Sequence, residues 1–256
     1  QSIAQSVFAQ AVTFTAVVRG VPAAGQVPPI IPPGTVTFLI DGVARGNPVP
    51  LNGNGVATLT LPLGTGFHSI QAHYNGAVRF APGDSVAIGH NTSPASTKVV
   101  VSTNRNPAYV GQGTVATAAV STLAPGGGIP SGTVTFVVDG VERDPVPLNG
   151  NGVASLNLGV LSLGRHVVVA RYDGSLNHFG IAAARYQDVV GPTRLTAALV
   201  GSPLNGGVFN LNVFAVGADG SFAPGYNAPA AFVVLSAPPG GTISGPRNTT
   251  FVNGLA

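Results

Sequence analysis

The 256-residue chain contains no cysteine, no methionine and no tryptophan. Disulfides, thiolate nucleophiles, thiolate metal ligands and easily oxidised sulfur are thereby excluded. Such a composition suits an exported bacterial protein that meets oxidants, and drift in a sulfur-poor, GC-rich genome accounts for it equally well. Charge is scarce too: 7% of residues are charged, with a single lysine, Lys98, and a single glutamate, Glu142. The net charge of +3 and an isoelectric point near 9.7 rest on arginines spread evenly along the chain. Phosphate binding calls for clustered cations interleaved with aromatics, so no nucleic acid is expected as a partner. No run of eighteen apolar residues occurs, and no direct membrane span is expected. A secretory signal is also absent, which fits a mature chain or an internal fragment.

The same shortages bear on catalysis. Eight acidic residues serve the whole chain, whereas glycoside hydrolysis needs two carboxylates facing each other across a bond. The nearest set, Asp139, Glu142 and Asp144, lies on and beside one hairpin tip, where short polar residues belong in any case. There is no G-x-S-x-G elbow and no Gly-Lys-Ser/Thr, and Gly126-Gly127-Gly128 leads into Ile129-Pro130 rather than a helix, as a loop does. His68 and His166 occupy equivalent repeat positions, which points to packing or a turn hydrogen bond. His73, His90 and His178 have no Cys or His partner at ligand spacing. Asp84 and Asp188 are the acids nearest the two junctions, leaving at most weak calcium binding helped by backbone carbonyls. No catalytic residue, cofactor or metal site is expected.

What is present is repetition. Pro48 to Ala57 (PVPLNGNGVA) recurs unchanged at Pro145 to Ala154, and a shortened relative, Phe251 to Ala256, follows. Gly34 to Val43 likewise returns at Gly132 to Val141, giving a period of about ninety-eight residues. A unit of that length can bury its own core, so the repeats are expected to be domains strung like beads rather than one solenoid. Within each unit apolar and polar residues alternate with period two, as in Val12, Phe14, Ala16 and Val18 against Thr13 and Thr15, or Val36, Phe38 and Ile40 against Thr35 and Thr37. That is the pattern of half-buried strands. Asp41-Gly42, Asp139-Gly140, Asn52-Gly53 and Asn149-Gly150 mark hairpin turns, where these residues tolerate positive φ. The expected fold class is all-β: tandem antiparallel β-sandwiches of seven or eight strands each.

The motifs Ser6-Val7-Phe8-Ala9-Gln10, Gly34 to Gly42, Leu51 to Ala57 and Gly66 to Gly76, with Gly111-Gln112, Gly132 to Gly140, Leu148 to Ala154 and Gly164 to Gly174 in the second unit, resemble the bacterial immunoglobulin-like repeat domains of large surface and secreted proteins. The resemblance covers residues 1 to about 190. It implies Ig-like sandwiches and an extracellular or cell-surface location. The third unit, with Asp219-Gly220 and Pro224-Gly225-Tyr226, looks like a different subgroup.

Domains are expected at 1–93, 94–191 and 192–256, the first without its opening strand and the third without its closing ones. The apolar strand Lys98 to Ser102 has no counterpart before Gln1, so the first sandwich should carry an exposed edge, covered by flanking chain or by a strand from a neighbour. Tyr74 and Tyr172 are placed to tie strand corners through their hydroxyls. Val137, Val167, Val169 and Arg171 form a face of unit 2 that is less polar than its counterpart Leu39, Ser69, Gln71 and His73, and this face is expected to meet an adjoining domain or another protein. Asn91 to Ser96 reads as a softer linker than Val189-Val190-Gly191-Pro192. The expected role is a non-catalytic spacer or adhesive segment, with flanking domains or other surface proteins as partners. Two alternatives stand beside it: a glycan-binding or accessory segment of a secreted hydrolase, using exposed aromatics such as Tyr109, Tyr186 or Tyr226, and a filament subunit assembled by strand exchange.

Overall fold

The alternating stretches become strands, each with its apolar side chains turned inward. A computed structural model describes residues 1–21, 30–200, 210–224, 229–231 and 248–250. Unit 1 comprises β1 (Gln5–Val7), β2 (Ala11–Val17), β3 (Thr35–Ile40), β4 (Val43–Pro50), β5 (Val56–Pro62), β6 (Gly66–Tyr74), β7 (Gly83–Asp84) and β8 (Ile88–Ser93). One sheet runs β1-β8-β6-β3-β4 with β7 beside β6, and the facing sheet is β2-β5. Between them Val12, Phe14, Val36, Phe38, Ile40 and Ile70 form the core.

Unit 2 repeats the plan with β9 (Thr97–Thr103), β10 (Ala108–Tyr109), β11 (Gly113–Thr122), β12 (Thr133–Val138), β13 (Val141–Glu142), β14 (Val146–Pro147), β15 (Val153–Val160), β16 (Gly164–Tyr172) and β17 (Ile181–Val190). Its sheets are β10-β17-β16-β12-β13, with β14 also on β12, and β15-β11-β9. In both units the first short strand lies parallel to the last, β1 on β8 and β10 on β17, while the other pairs are antiparallel. Unit 2 has its own core around Val99, Val101, Val134, Phe136, Val168 and Tyr172. The third unit contributes β18 (Arg194–Val200) paired with β19 (Asn210–Val216), and β20 (Pro229–Ala231) paired with β21 (Asn248–Thr250). The altered repeat at Phe251 to Ala256, the loop at Tyr226 and the completeness of the third unit lie outside the described residues.

The shared PVPLNGNGVA segment has one conformation in both copies. Asn52 Oδ1 accepts from the Asn54 and Val56 amides at 2.9 and 3.0 Å, and Asn149 Oδ1 accepts from Asn151 and Val153 at the same distances. Positive φ falls not on the Asn-Gly pair but on Gly55 (68°) and Gly152 (72°). A Cβ there would stand 2.6 Å from the Val18 carbonyl oxygen, or 2.5 Å from that of Val120, and only glycine admits that approach. The approach has a purpose, since the Gly55 and Gly152 carbonyls accept from the Val18 and Val120 amides at 2.8 Å. The identity of the repeat follows from this turn. Asp41-Gly42 and Asp139-Gly140 have positive φ at both residues, as a tight hairpin between twisted strands requires.

The described parts of the two units differ at one edge. In unit 2, β9 runs antiparallel along β11, from Thr103 opposite Ala116 to Thr97 opposite Thr122. Among the described residues no strand pairs with the same edge of β2.

Candidate functional site

Val167, Val169 and Arg171 project from one face of β16, and register brings Val137 of β12 and Ala184 of β17 to either side of Val169. The four expected interface residues therefore converge. Val167 and Arg171 are exposed, and Val137 and Val169 are partly covered. Arg171 is engaged within its own unit, donating from Nη1 to Glu142 at 2.8 Å, with Asp173 at 3.4 Å from Nε. Beside the patch, Arg165 donates to Asp188 at 2.8 Å and its guanidinium lies 5.1 Å from the centre of the Tyr186 ring. That cation occupies the ring face a sugar would stack on.

Equivalent histidines hold the hairpin tips. In unit 2, His166 Nδ1 donates to Asp139 Oδ2 at 2.7 Å and Nε2 donates to the Ser162 carbonyl at 2.8 Å. In unit 1, His68 does the same with Asp41 at 2.8 Å and the Gly64 carbonyl at 2.9 Å. The second carboxylate oxygen of each aspartate accepts a strand amide, Ser69 or Val167. Both ring nitrogens face acceptors, so the arrangement favours imidazolium. The Asp139 carboxylate and the Ser162 carbonyl raise the His166 ring above its ordinary value, with burial opposing. Burial pulls hardest on His68, yet Asp41 and the Gly64 carbonyl raise it on balance. The histidine bonds in turn hold both aspartates below the usual carboxylate range. These are structural clasps, as the repeat equivalence indicated. Asp84, one of the expected junction acids, accepts instead from His73 at 2.7 Å, and Asp188 is held by Arg165.

The tyrosine corners are also present. Tyr74 donates to the Pro33 carbonyl at 2.5 Å and Tyr172 to that of Ser131 at 2.6 Å.

The junctions differ from expectation. Asn91 to Ser93 belong to β8, and only three residues separate it from β9, so no soft linker is present there. Ala95 is fully buried; its amide donates to the Asn177 carbonyl and its carbonyl accepts from the Phe179 amide, both at 2.9 Å. Phe8 meets His178 edge-on at 5.5 Å, and its carbonyl accepts from Gly127. A Cβ on Gly127 would lie 3.2 Å from the Ala9 methyl and one on Gly128 3.0 Å from the Phe8 ring, so the expected loop Gly126 to Gly128 serves close contact between the units. At the second junction Tyr109, expected as an exposed sugar platform, is buried instead. Its ring packs among Val213, Ala215 and Ala223 of the third unit, and its hydroxyl accepts from the Ala218 amide at 2.9 Å. Gln10 and Gln112 close equivalent turns, their side chains accepting from the Val7 and Tyr109 amides, so Tyr109 is the counterpart of Val7 and Phe8 stands one position further on. Sequence reading missed this joint because an aromatic after an alternating pair looks like ordinary core.

The open edge of unit 1 forms a groove of about 660 Å3. Phe14, Ala16 and Val18 line it from the β2 side and Phe38, Ile70 and Ile88 from the opposite sheet. Where β17 is continuous, the corresponding part of unit 1 breaks at Ser85–Ala87, and Ser85 Oγ accepts from the Ala72 amide at 3.0 Å in place of a ladder bond.

Among solved structures, the chain is similar to the Escherichia coli adhesin FdeC, at 18% identity over 98% of this chain and 82% of that one, with a TM-score of 0.30. It is similar to the fibronectin(III)-like modules of Clostridium thermocellum CbhA, at 12% identity over 73% and 89% of the two chains, with a TM-score of 0.30. The amphioxus IgVJ-C2 molecule is 12% identical over 72% of this chain and 99% of that one, with a TM-score of 0.35. No curated protein matches the chain. A model for the bacterial Ig-like domain (group 3) matches residues 1–93 and again 100–191. The chain belongs to that family, in two tandem copies.

Proposed function

From this membership as premise, we propose that the chain is a non-catalytic spacer and interaction segment of an extracellular or cell-surface bacterial protein. The observation that carries the reading is the pair of built joints. At the first, Phe8 in the turn after β1 meets His178 and Gly128; at the second, Tyr109 at the end of β10 packs on the third unit against Gly217. Freely jointed beads have no use for such contacts, whereas a segment that holds domains at set spacing does. The carboxylates nearest one another in sequence support the same reading: Asp139 clasps a turn and Glu142 pairs with Arg171. The glycan-binding alternative is weakened by the burial of Tyr109 and the arginine over Tyr186.

Small-angle scattering tests the proposal. One extended shape should fit the wild-type curve, and Gly127→Val combined with Gly217→Val, which intrude on Ala9 and Tyr109, should broaden the distance distribution. A wild-type curve that already requires independently tumbling units would contradict it.

A further inference from the structure

We propose that unit 2 holds an internal water site between its two sheets, formed by Gln187 Oε1, Thr103 Oγ1 and Thr114 Oγ1. These three side-chain atoms are buried, and none has a hydrogen-bond partner among the described residues. Gln187 and Thr114 have no exposed surface at all, and the Gln187 amide nitrogen is already committed, donating to the Asp188 carbonyl at 2.9 Å. Leaving buried amides and hydroxyls unpaired is costly, so folded chains pair them with protein or with ordered water. Three such atoms in one layer of one unit point to a shared partner.

Comparison of the units shows that the three groups converge. Asn104 makes the same two contacts with Val115 that Ser2 makes with Thr13, so Thr103, Thr114 and Ala116 take the places of Gln1, Val12 and Phe14. On the facing sheet, the parallel pairs Ser6 with Thr92 and Ala108 with Val189 put Gln187 in the place of His90. In unit 1 those places touch. The His90 ring meets Phe14 edge-on at 5.9 Å, its Nδ1 lies 3.1 Å from Gln1 Oε1 and its Nε2 lies 2.9 Å from Ser6 Oγ, so protein alone fills and pairs the layer. Unit 2 keeps the layout but sets Ala108 and Ala116 beside Gln187, which therefore meets neither a hydroxyl nor a ring at those two places. Thr103 stands opposite Ala116 on the β9–β11 ladder, and Thr114, two residues along β11, shares the inward face of Ala116. Exchanging a phenyl ring for a methyl releases more than the roughly 30 Å3 that a water molecule occupies. One carbonyl that only accepts and two hydroxyls that donate or accept match water, which does both and needs two to four partners. A divalent cation would call for a carboxylate, and an apolar guest would leave all three atoms unpaired. The site lies behind Ala108, next to the Tyr109 that packs on the third unit, so the water belongs to the scaffold of the second joint.

The test uses the full chain and two readouts. Nuclear Overhauser contacts from a long-lived water to the Thr103 and Thr114 side chains are expected in solution, and a crystal structure that resolves ordered water should place one at about 2.7–3.2 Å from Gln187 Oε1 and from both hydroxyls. The second readout is a sign. Thr103→Val and Thr114→Val keep the side-chain shape and each remove one partner of the water, so each should lower the melting temperature of unit 2 by about 4 °C. A hydroxyl that is truly unpaired gives the opposite result, because a methyl in its place is neutral or stabilising. Water bonded at the three atoms, with both valine variants melting lower, supports the proposal. It is overturned if the layer is dry, if the Gln187 side chain turns to bond a threonine hydroxyl directly, or if either valine variant melts at or above the wild-type temperature.

Discussion

Units 1 and 2 are built on one scheme and differ at one edge. The repeat turn, the histidine clasp, the tyrosine corner and the parallel opening strand are superimposable in kind, down to hydrogen bonds that agree within a few tenths of an ångström. Against that constancy, unit 2 has β9 and unit 1 has a groove. The lower half of the sandwich also differs. Unit 1 buries a polar knot there, Ser6 Oγ lying 2.9 Å from both His90 Nε2 and Thr92 Oγ1, with the His90 ring edge-on to Phe14. Unit 2 replaces the three polar residues with Ala108, Gln187 and Val189, and Phe14 with Ala116. The comparison teaches that this sandwich is held by its turns and two-sheet core.

The most damaging way to break the comparison is to turn unit 2 into a copy of unit 1. Val101→Asp puts a charge where β9 faces the core and should cost unit 2 about 4 kcal/mol. The thermal transition assigned to unit 2 by amide NMR reports it, and unit 1 should melt unchanged.

Next in size are the turn glycines, which sharpen the likeness rather than the difference. Gly55→Ala and Gly152→Ala combine positive φ with a Cβ under 3 Å from a carbonyl oxygen. Each should cost about 2 kcal/mol or more in its own unit. Smaller still, Asn52→Ala and Asn149→Ala each remove two side-chain bonds to turn amides and should cost about 1 kcal/mol apiece by chemical denaturation. A large inequality between the units in either pair would break the claim that the turn does the same work twice.

The smallest expected effect is a pH dependence that separates the units. Burial holds the His90 ring below its ordinary 6.5, helped by the charges of His68 and the N-terminus. Protonation therefore favours the unfolded chain. The stability that neutral His90 confers is complete above pH 6.5 and is lost as the pH falls through the lower folded-state value. Unit 2 has Gln187 there and no such loss. The clasps do not confuse the reading, because they act alike in both units. The raised histidines contribute fully below pH 6.5 and lose that contribution as the pH rises through their folded-state values. The lowered aspartates contribute above pH 3.8 and lose it as the pH falls. Melting each unit between about pH 7.5 and pH 5 should show unit 1 weakening relative to unit 2, and His90→Gln should remove the gap.

Much of this was legible in the sequence. Period-two alternation located β2, β3, β5 and β6, and comparison of the two repeats singled out β9, which has no counterpart among the described residues of unit 1. That Val167, Val169 and Arg171 share one face of β16 was legible too, since they share a strand phase. Less was legible where function depends on contact between distant residues. Tyr109 is one side chain in an apolar run until the third unit's Ala218 amide is seen on its hydroxyl. His178 gives no sign that it sits against Phe8. The linker Asn91 to Ser96 looked soft from its polar composition, but strand pairing consumed its first half and burial of Ala95 fixed its second.

The exchange rates of four backbone amides test the difference between the units most directly. Thr15 and Val17 should exchange at rates near those of exposed chain, while Thr117 and Ala119, bonded to β9, should be protected up to the stability of unit 2. Equal protection of the two pairs would mean that the edge of unit 1 is already closed, and would contradict the central difference between the units.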